Sequence, residues 1–315
     1  MTAAGTPSGT DVRLRRTLRV GDLARLAELT EGCTPSVSER QLERLVLADP
    51  ALDRAAVIIA ERGDRAVGYM HVTVDGTVAY LVSGVVARDH RRAGIGSVLL
   101  ESAVAHAREH GCDTLRVSGY PRGYLTPGID EDADPGTAEF LRARGAVSRG
   151  RALAMELELA EPRVPVASDA AEIAPCRPEE LPDLLASVRR ELPADWAHAL
   201  HSHIRAGGAA TRILRARDTG DGSLLGVAAW GVVDADDERF GPIGVVPAGR
   251  GRGIGGALLD TALAAMARVG VARARLLWTG PGSPAHRMYL SRGFRPLSTT
   301  TLFEIQVPTA ASGRT

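Results

Sequence analysis

Two stretches of the chain place arginine and glycine at one shared spacing. They are Arg91-Arg92-Ala93-Gly94-Ile95-Gly96 and Arg250-Gly251-Arg252-Gly253-Ile254-Gly255-Gly256. Each Arg-x-x-Gly-x-Gly phrase follows an apolar run ending in a valine pair, Val85-Val86 and Val245-Val246, and precedes an amphipathic pattern. A strand, a tight turn and a helix start in that order suit an anion. The first turn of a helix has unbonded N–H groups and the positive end of the dipole. Glycine lets backbone approach a phosphate where a Cβ would block it, and Arg91, Arg92, Arg250 and Arg252 add positive charge beside it.

One similarity is excluded. Gly251-Arg252-Gly253-Ile254-Gly255-Gly256 formally fits the dinucleotide pattern G-x-G-x-x-G, which needs an acid about 20 residues on to hold a ribose. The next strand here, Ala272-Arg273-Ala274-Arg275-Leu276-Leu277-Trp278-Thr279, contains none. The first phrase, with Ala93 in place of a glycine, lacks the pattern altogether.

The elements that must position these turns recur in the same order in both halves. In the first, strand patterns at 12–20, 55–60, 66–74 and 77–86 lead into the turn. A helix over 95–109 stops at Gly111, a strand covers 114–118, a helix covers 137–144, and a last strand covers 151–159. In the second, a strand at 171–174 and a helix at 178–192 precede strands at 212–216 and 224–233. The turn Asp218-Thr219-Gly220-Asp221-Gly222 joins these two strands as a hairpin. A strand at 241–246, the second turn, a helix at 254–269, a strand at 272–279, a helix at 284–292 and a strand at 299–307 complete the repeat. The expected architecture is α/β, with two tandem domains at 12–160 and 170–308. A Pro-rich linker at 161–169 separates them, and flexible tails lie at 1–11 and 309–315.

Composition narrows the partners. With 38 basic and 38 acidic residues the net charge is zero, which argues against a dedicated nucleic-acid surface. Every basic residue is arginine; the absence of lysine and asparagine fits a GC-rich bacterial genome, and it excludes both Schiff-base and Walker lysines. Cys33, Cys112 and Cys176 form no C-x-x-C pair and read as reduced cytoplasmic thiols. No apolar run is long enough for a membrane span, and no metal is expected.

Val-x-Pro-x-x-Arg-x-x-Gly-x-Gly followed by a helix resembles the acetyl-CoA signature of the GNAT superfamily of N-acetyltransferases. Ala285-His286-Arg287-Met288-Tyr289-Leu290-Ser291-Arg292-Gly293-Phe294 is similar to its second recurring motif, A-x-x-x-Y-x-x-x-G-F. The resemblance implies two GNAT-like domains, each a mixed, mostly antiparallel central sheet flanked by helices. It also implies that acetyl-CoA is the cosubstrate. Arg250, Gly251, Arg252, Gly253, Ile254, Gly255 and Gly256 would cradle the pyrophosphate, and Val245 and Val246 would hold the pantetheine arm. Val85, Val86, Arg91, Arg92, Ala93, Gly94, Ile95 and Gly96 are their counterparts in the first half. Tyr289 would protonate the departing thiolate after an amine attacks the thioester directly. Glu238 is the candidate base.

The halves differ. Aligning Gly145 with Gly293 sets Leu141 opposite Tyr289, so the first half lacks the phenol, although Tyr120 or Tyr124 in its longer loop could substitute. The expected activity is acetylation of a primary amine of a small molecule by the second half. An acyl-CoA sensor or scaffold without turnover, or a protein or peptide N-acetyltransferase, are the alternatives. A monomer, as a pseudo-dimer of its own domains, or a homodimer is expected.

Overall fold

The computed structural model describes residues 12–308, apart from 34, 48, 50–52, 54, 160–163, 166, 167, 234 and 235. Both expected tails and much of the expected linker lie outside the described residues. Two units emerge, one comprising Met1–Ala152 with Thr299–Thr315, the other Leu153–Ser298.

In the first unit, β1 (Arg13–Arg15), β2 (Val57–Arg62), β3 (Arg65–Asp75) and β4 (Val78–Val86) pair antiparallel in that order. The right of way then passes through α3 (Ile95–Glu109) to β5 (Thr114–Val117), which lies parallel to β4. The period-two alternation of β2 sorts its residues into two layers. Ile58 and Ala60 pack with Leu99, Leu100 and Ala103 of α3. Val57 and Ile59 face Leu26 of α1 (Asp22–Glu28) and Leu42 of α2 (Glu39–Val46).

The second unit repeats this plan. Strands β7 (Ala171–Pro175), β8 (Ile213–Asp218), β9 (Leu224–Trp230) and β10 (Phe240–Val245) are antiparallel neighbours. Helix α7 (Ile254–Arg268) packs against Leu214, Ala216 and Ala228. Helices α5 (Leu181–Glu191) and α6 (Ala194–Arg205) bury Leu184, Val188 and Leu200 with Ile213, Val227 and Ala229.

In both units the strand before the turn separates from its parallel neighbour. Pairing of β4 with β5 ends at Leu81↔Val117, and the Ser118 amide still reaches the Leu81 carbonyl at 2.8 Å. Ser118 then adopts φ 62°, turning the chain away, so Val82–Val86 runs on without β5. Among the described residues β10 forms no ladder with β11 (Arg273–Thr279), and the parallel bridge Arg239↔Arg275 lies just ahead of β10.

The units differ from the expected halves by an exchange of closing strands. β6 (Val147–Glu158) follows the first half in sequence, yet its residues 153–158 pair antiparallel with β11 in the second unit. β12 (Arg295–Gln306) ends the second half, yet Phe303–Gln306 pairs with β5 in the first unit. The repeat shows which strands exist, whereas their partners are set by long-range pairing that local pattern does not encode. Helices α2 and α6 were also not foreseen, and β1 is shorter than the 12–20 run. No helix among the described residues is long and apolar enough to cross a membrane.

Candidate functional site

The turn of the second unit is built from backbone. After β10 a short 3-10 turn, Pro247–Gly249, leads to extended Arg250, then Gly251 at φ 75° and Gly253 at φ 75°. Gly253 caps α7 in the left-handed conformation, and no side chain bonds to the helix start. The first-turn amides of α7 are therefore available to an anion. In the first unit Gly94, at φ 80°, caps α3 in the same way and again without a side-chain cap. Arg92 stands where the second unit has Gly251 and carries φ 63°, a left-handed geometry that strains a residue bearing a Cβ.

The signature arginines brace this turn. Arg91 Nε donates to the Val86 carbonyl at 3.0 Å, and Arg250 Nε lies 3.5 Å from the Val245 carbonyl. Arg252 instead donates to Asp218 Oδ2 at 2.9 Å and to the Ala170 carbonyl at 3.1 Å, so much of its charge is already answered. The Gly220 amide, then Arg252, hold the Asp218 carboxyl below its usual range.

The expected register between halves appears in the packing. A Cβ on Gly96 would meet the Phe140 ring at 3.3 Å, and one on Gly255 would meet Met288 Sδ at 3.6 Å. Phe140 thus corresponds to Met288, and Leu141 to Tyr289. The helix ends agree as well: Ala146 N reaches the Leu141 carbonyl and Phe294 N the Tyr289 carbonyl, both at 3.1 Å, beside left-handed Gly145 and Gly293. Tyr289 lies on α8 (Pro284–Ser291), 5% exposed, with its ring edge-on to Phe240 and tilted against Phe294. Burial pushes its phenol well above the ordinary value, so the proton stays on oxygen.

Glu238 is differently placed. Its carboxylate lies 3.2 Å from Arg275 Nε and 3.4 Å from Arg273 Nη2, while its carbonyl accepts from Arg275 N at 2.7 Å. Asp236 pairs with Arg275 at 2.7 Å and Asp237 with Arg212. The acidic run therefore fastens the start of β10 to its neighbours; Asp234 lies outside the described residues. His286 Nδ1 accepts from the Gly282 amide at 3.0 Å, in the loop that opens α8.

In the first unit Tyr120 is an anchor. It is 1% exposed, its ring packs on Tyr80 at 5.3 Å, and its hydroxyl accepts from Arg122 at 2.9 Å. The long loop is fastened further on, where Ile129 and Thr301 exchange backbone bonds of 3.0 and 2.8 Å.

A second set of residues was not anticipated. Tyr69 and His71 on β3 and Ser83 on β4 are neighbours across the sheet, with His71 registered opposite Ser83. The Tyr69 hydroxyl, His71 Nδ1 and Ser83 Oγ are buried and make no well-formed hydrogen bond within the protein. Burial lowers His71 to about 4, partly offset by Asp49, and raises Tyr69 to about 12. The alternation Tyr69, His71, Thr73 within an otherwise apolar strand was the available signal. Gly68 and Gly226 hold one position in the two units, since a Cβ on either would meet the facing strand's carbonyl and then a leucine of the crossover helix. Counting from them, Val227 and Ala229 replace Tyr69 and His71.

Comparison with known proteins agrees with this geometry. Residues 23–120 match the profile of the acetyltransferase (GNAT) family, and residues 201–296 match an acetyltransferase (GNAT) domain. The chain is 29% identical over 304 residues to mycothiol acetyltransferase of Beutenbergia cavernae, covering 89% of this chain and 92% of that one. A GCN5-related N-acetyltransferase from Sphaerobacter thermophilus superposes with a TM-score of 0.71 at 19% identity, over 95% of this chain and 97% of that one. A tandem GNAT protein of the clavulanic acid biosynthesis pathway gives 0.70 at 18%, over 95% and 100%. The glucosamine N-acetyltransferase region of a fungal multi-domain β-N-acetylglucosaminidase gives 0.80 at 17% over 96% of this chain, which spans 39% of that protein.

Proposed function

The chain belongs to the acetyltransferase (GNAT) family through two domains in tandem, and from that premise we propose that its C-terminal unit acetylates a primary amine of a small molecule. Acyl-CoA is the cosubstrate the family implies, and the acetyl thioester is the form proposed here. The uncapped amides that open α7, with Gly251 and Gly253 and the Arg250 brace, would receive the pyrophosphate. The free backbone edge of β10 approaching Val245 and Val246 would take the pantetheine arm.

In the reaction the amine nitrogen bonds to the thioester carbon and the carbon–sulfur bond breaks. Tyr289 supplies a proton to the leaving sulfur, a role its buried, protonated phenol suits. The amine attacks as its neutral form, and the proton it sheds on forming the amide passes to solvent water. Glu238, engaged by two guanidinium groups, is assigned to fastening the β10 loop.

The observation that carries this reading is the buried phenol of Tyr289 on the short helix of one unit, where the other has Leu141. The name of the Beutenbergia relative favours a small-molecule acceptor and puts mycothiol-related amines first in a trial panel. The test is thiol release from acetyl-CoA across that panel, with wild type and Tyr289→Phe compared at equal acetyl-CoA occupancy. Amine-dependent release lost in Tyr289→Phe supports the proposal; acetyl-CoA binding with no release for any amine favours a sensor or scaffold.

A second reading rests on the polar face of the first unit. Tyr69, His71 and Ser83 offer groups that a substrate could satisfy. If release survives Tyr289→Phe and is lost in His71→Ala, the first unit is the one that works.

A further inference from the structure

We propose that Asp53, His106 and His110 form a binding site for a divalent transition-metal ion of the zinc type, at the end of α3 remote from the Gly94 turn. His106 and His110 lie one helical turn apart on one face of the helix, the spacing by which a helix offers two imidazoles to one ion. Asp53, from the segment ahead of β2, turns Oδ2 toward both, 3.6 Å from His106 Nε2 and 3.4 Å from His110 Nε2. The three donor atoms all lie within 4.8 Å of one another. Bonds of about 2.0–2.1 Å in a tetrahedral zinc site set donor atoms roughly 3.4 Å apart, so two of the three edges are already close to that length.

Hydrogen bonds orient His110 and Asp53, while His106 is held by burial. His110 Nδ1 lies 2.9 Å from the His106 carbonyl, which takes its N–H and leaves the Nε2 lone pair directed at the site. Asp53 Oδ1 accepts from the Ala55 amide at 2.9 Å, which leaves Oδ2 for the histidines. The two imidazole rings are 4.3 Å apart. His106 is 1% exposed. Arg16, on the facing segment, is engaged by Glu109 at 3.2 Å and by Ser102 at 2.9 Å. Imidazole and carboxylate donors suit Zn²⁺, Co²⁺ or Ni²⁺. The ion would fasten the segment before β2 to the end of α3. The second unit has Ala265 and Val269 at the two histidine positions, so the site belongs to the first unit alone.

The test is titration of the chelator-treated, desalted full chain with Co²⁺, followed by visible absorption, and with Zn²⁺, followed by calorimetry. One equivalent is expected, with d–d bands of a nitrogen–oxygen site and a rise in melting temperature. Asp53→Asn and His110→Ala, at side chains 39% and 42% exposed, should fold normally and each weaken binding at least about tenfold. A His198→Ala, His201→Ala, His203→Ala variant on α6 should bind as wild type. No saturable binding up to about 100 µM, or full affinity in either Asp53→Asn or His110→Ala, overturns the site.

Discussion

The two units share one glycine turn and differ in the side chains of the helix and sheet beyond it. Gly94 and Gly253 open their helices at φ 80° and 75°, and an arginine reaches back to the preceding valine carbonyl in each. Beyond the cradle the chemistry divides. The first unit has Leu141 on its short helix and the polar trio Tyr69, His71 and Ser83 on its sheet. The second has Tyr289 on the helix and apolar Val227 and Ala229 on the sheet. A cradle made of main-chain amides depends on a few glycines and survives wide sequence change.

Tyr289→Phe should break the comparison most sharply. Amine-dependent turnover is expected to fall by about 10²–10⁴-fold, with acetyl-CoA affinity unchanged in calorimetry, whereas Leu141→Phe should leave turnover intact.

Acid should separate the units next. His71 is lowered to about 4 from an ordinary 6.5, so its unfolded form binds the proton more readily. The first unit is therefore at full strength above pH 6.5 and loses stability as pH falls toward 4, by roughly 3 kcal/mol for this residue. In the second unit, against the cost of burial, the Arg177 amide and guanidinium and Arg215 hold Glu180 down to about 2. That contribution is intact at pH 5 and is lost as pH falls from 4.5 toward 2. Trp196, Trp230 and Trp278 all lie in the second unit, so their fluorescence reports it alone. Between pH 6.5 and 4.5 the urea midpoint by circular dichroism should drop ahead of the tryptophan midpoint; coincident midpoints throughout would show that the units unfold as one.

The cradles themselves can be counted. Calorimetry should find two equivalents of acetyl-CoA per chain. Gly94→Val and Gly253→Val, which force a branched side chain into left-handed backbone, should each weaken one site at least about tenfold. A single equivalent in the wild type would mean that one cradle is vestigial.

The smallest effect concerns Arg92, whose φ of 63° is matched by a glycine in the other unit. Arg92→Gly should stabilise the first unit by up to about 1 kcal/mol, and Gly251→Arg should cost the second a similar amount. Chemical denaturation measures both.

Much of this was legible because it is local. The turns, α3 and α7 follow from glycine position and helical periodicity, and the Leu141–Tyr289 difference follows from counting back from Gly145 and Gly293. Helix α2 also left a mark that went unread, since Ser38 and Gln41 form a capping box. What could not be read depends on distant pairing. Nothing near Glu238 announces Arg273 and Arg275, and nothing near His106 announces Asp53. The missing partner of His71 Nδ1 depends on neighbours from more than one strand.

The exchanged closing strands bear on how the protein is made. Residues 299–306, which complete the sheet of the first unit, are translated after the whole of the second. The first unit therefore waits, with the edge of β5 open, while more than a hundred residues emerge from the ribosome, and it closes only once synthesis has passed Gln306. A chain stopped anywhere in the second half leaves the first unit without the strand that pairs with β5.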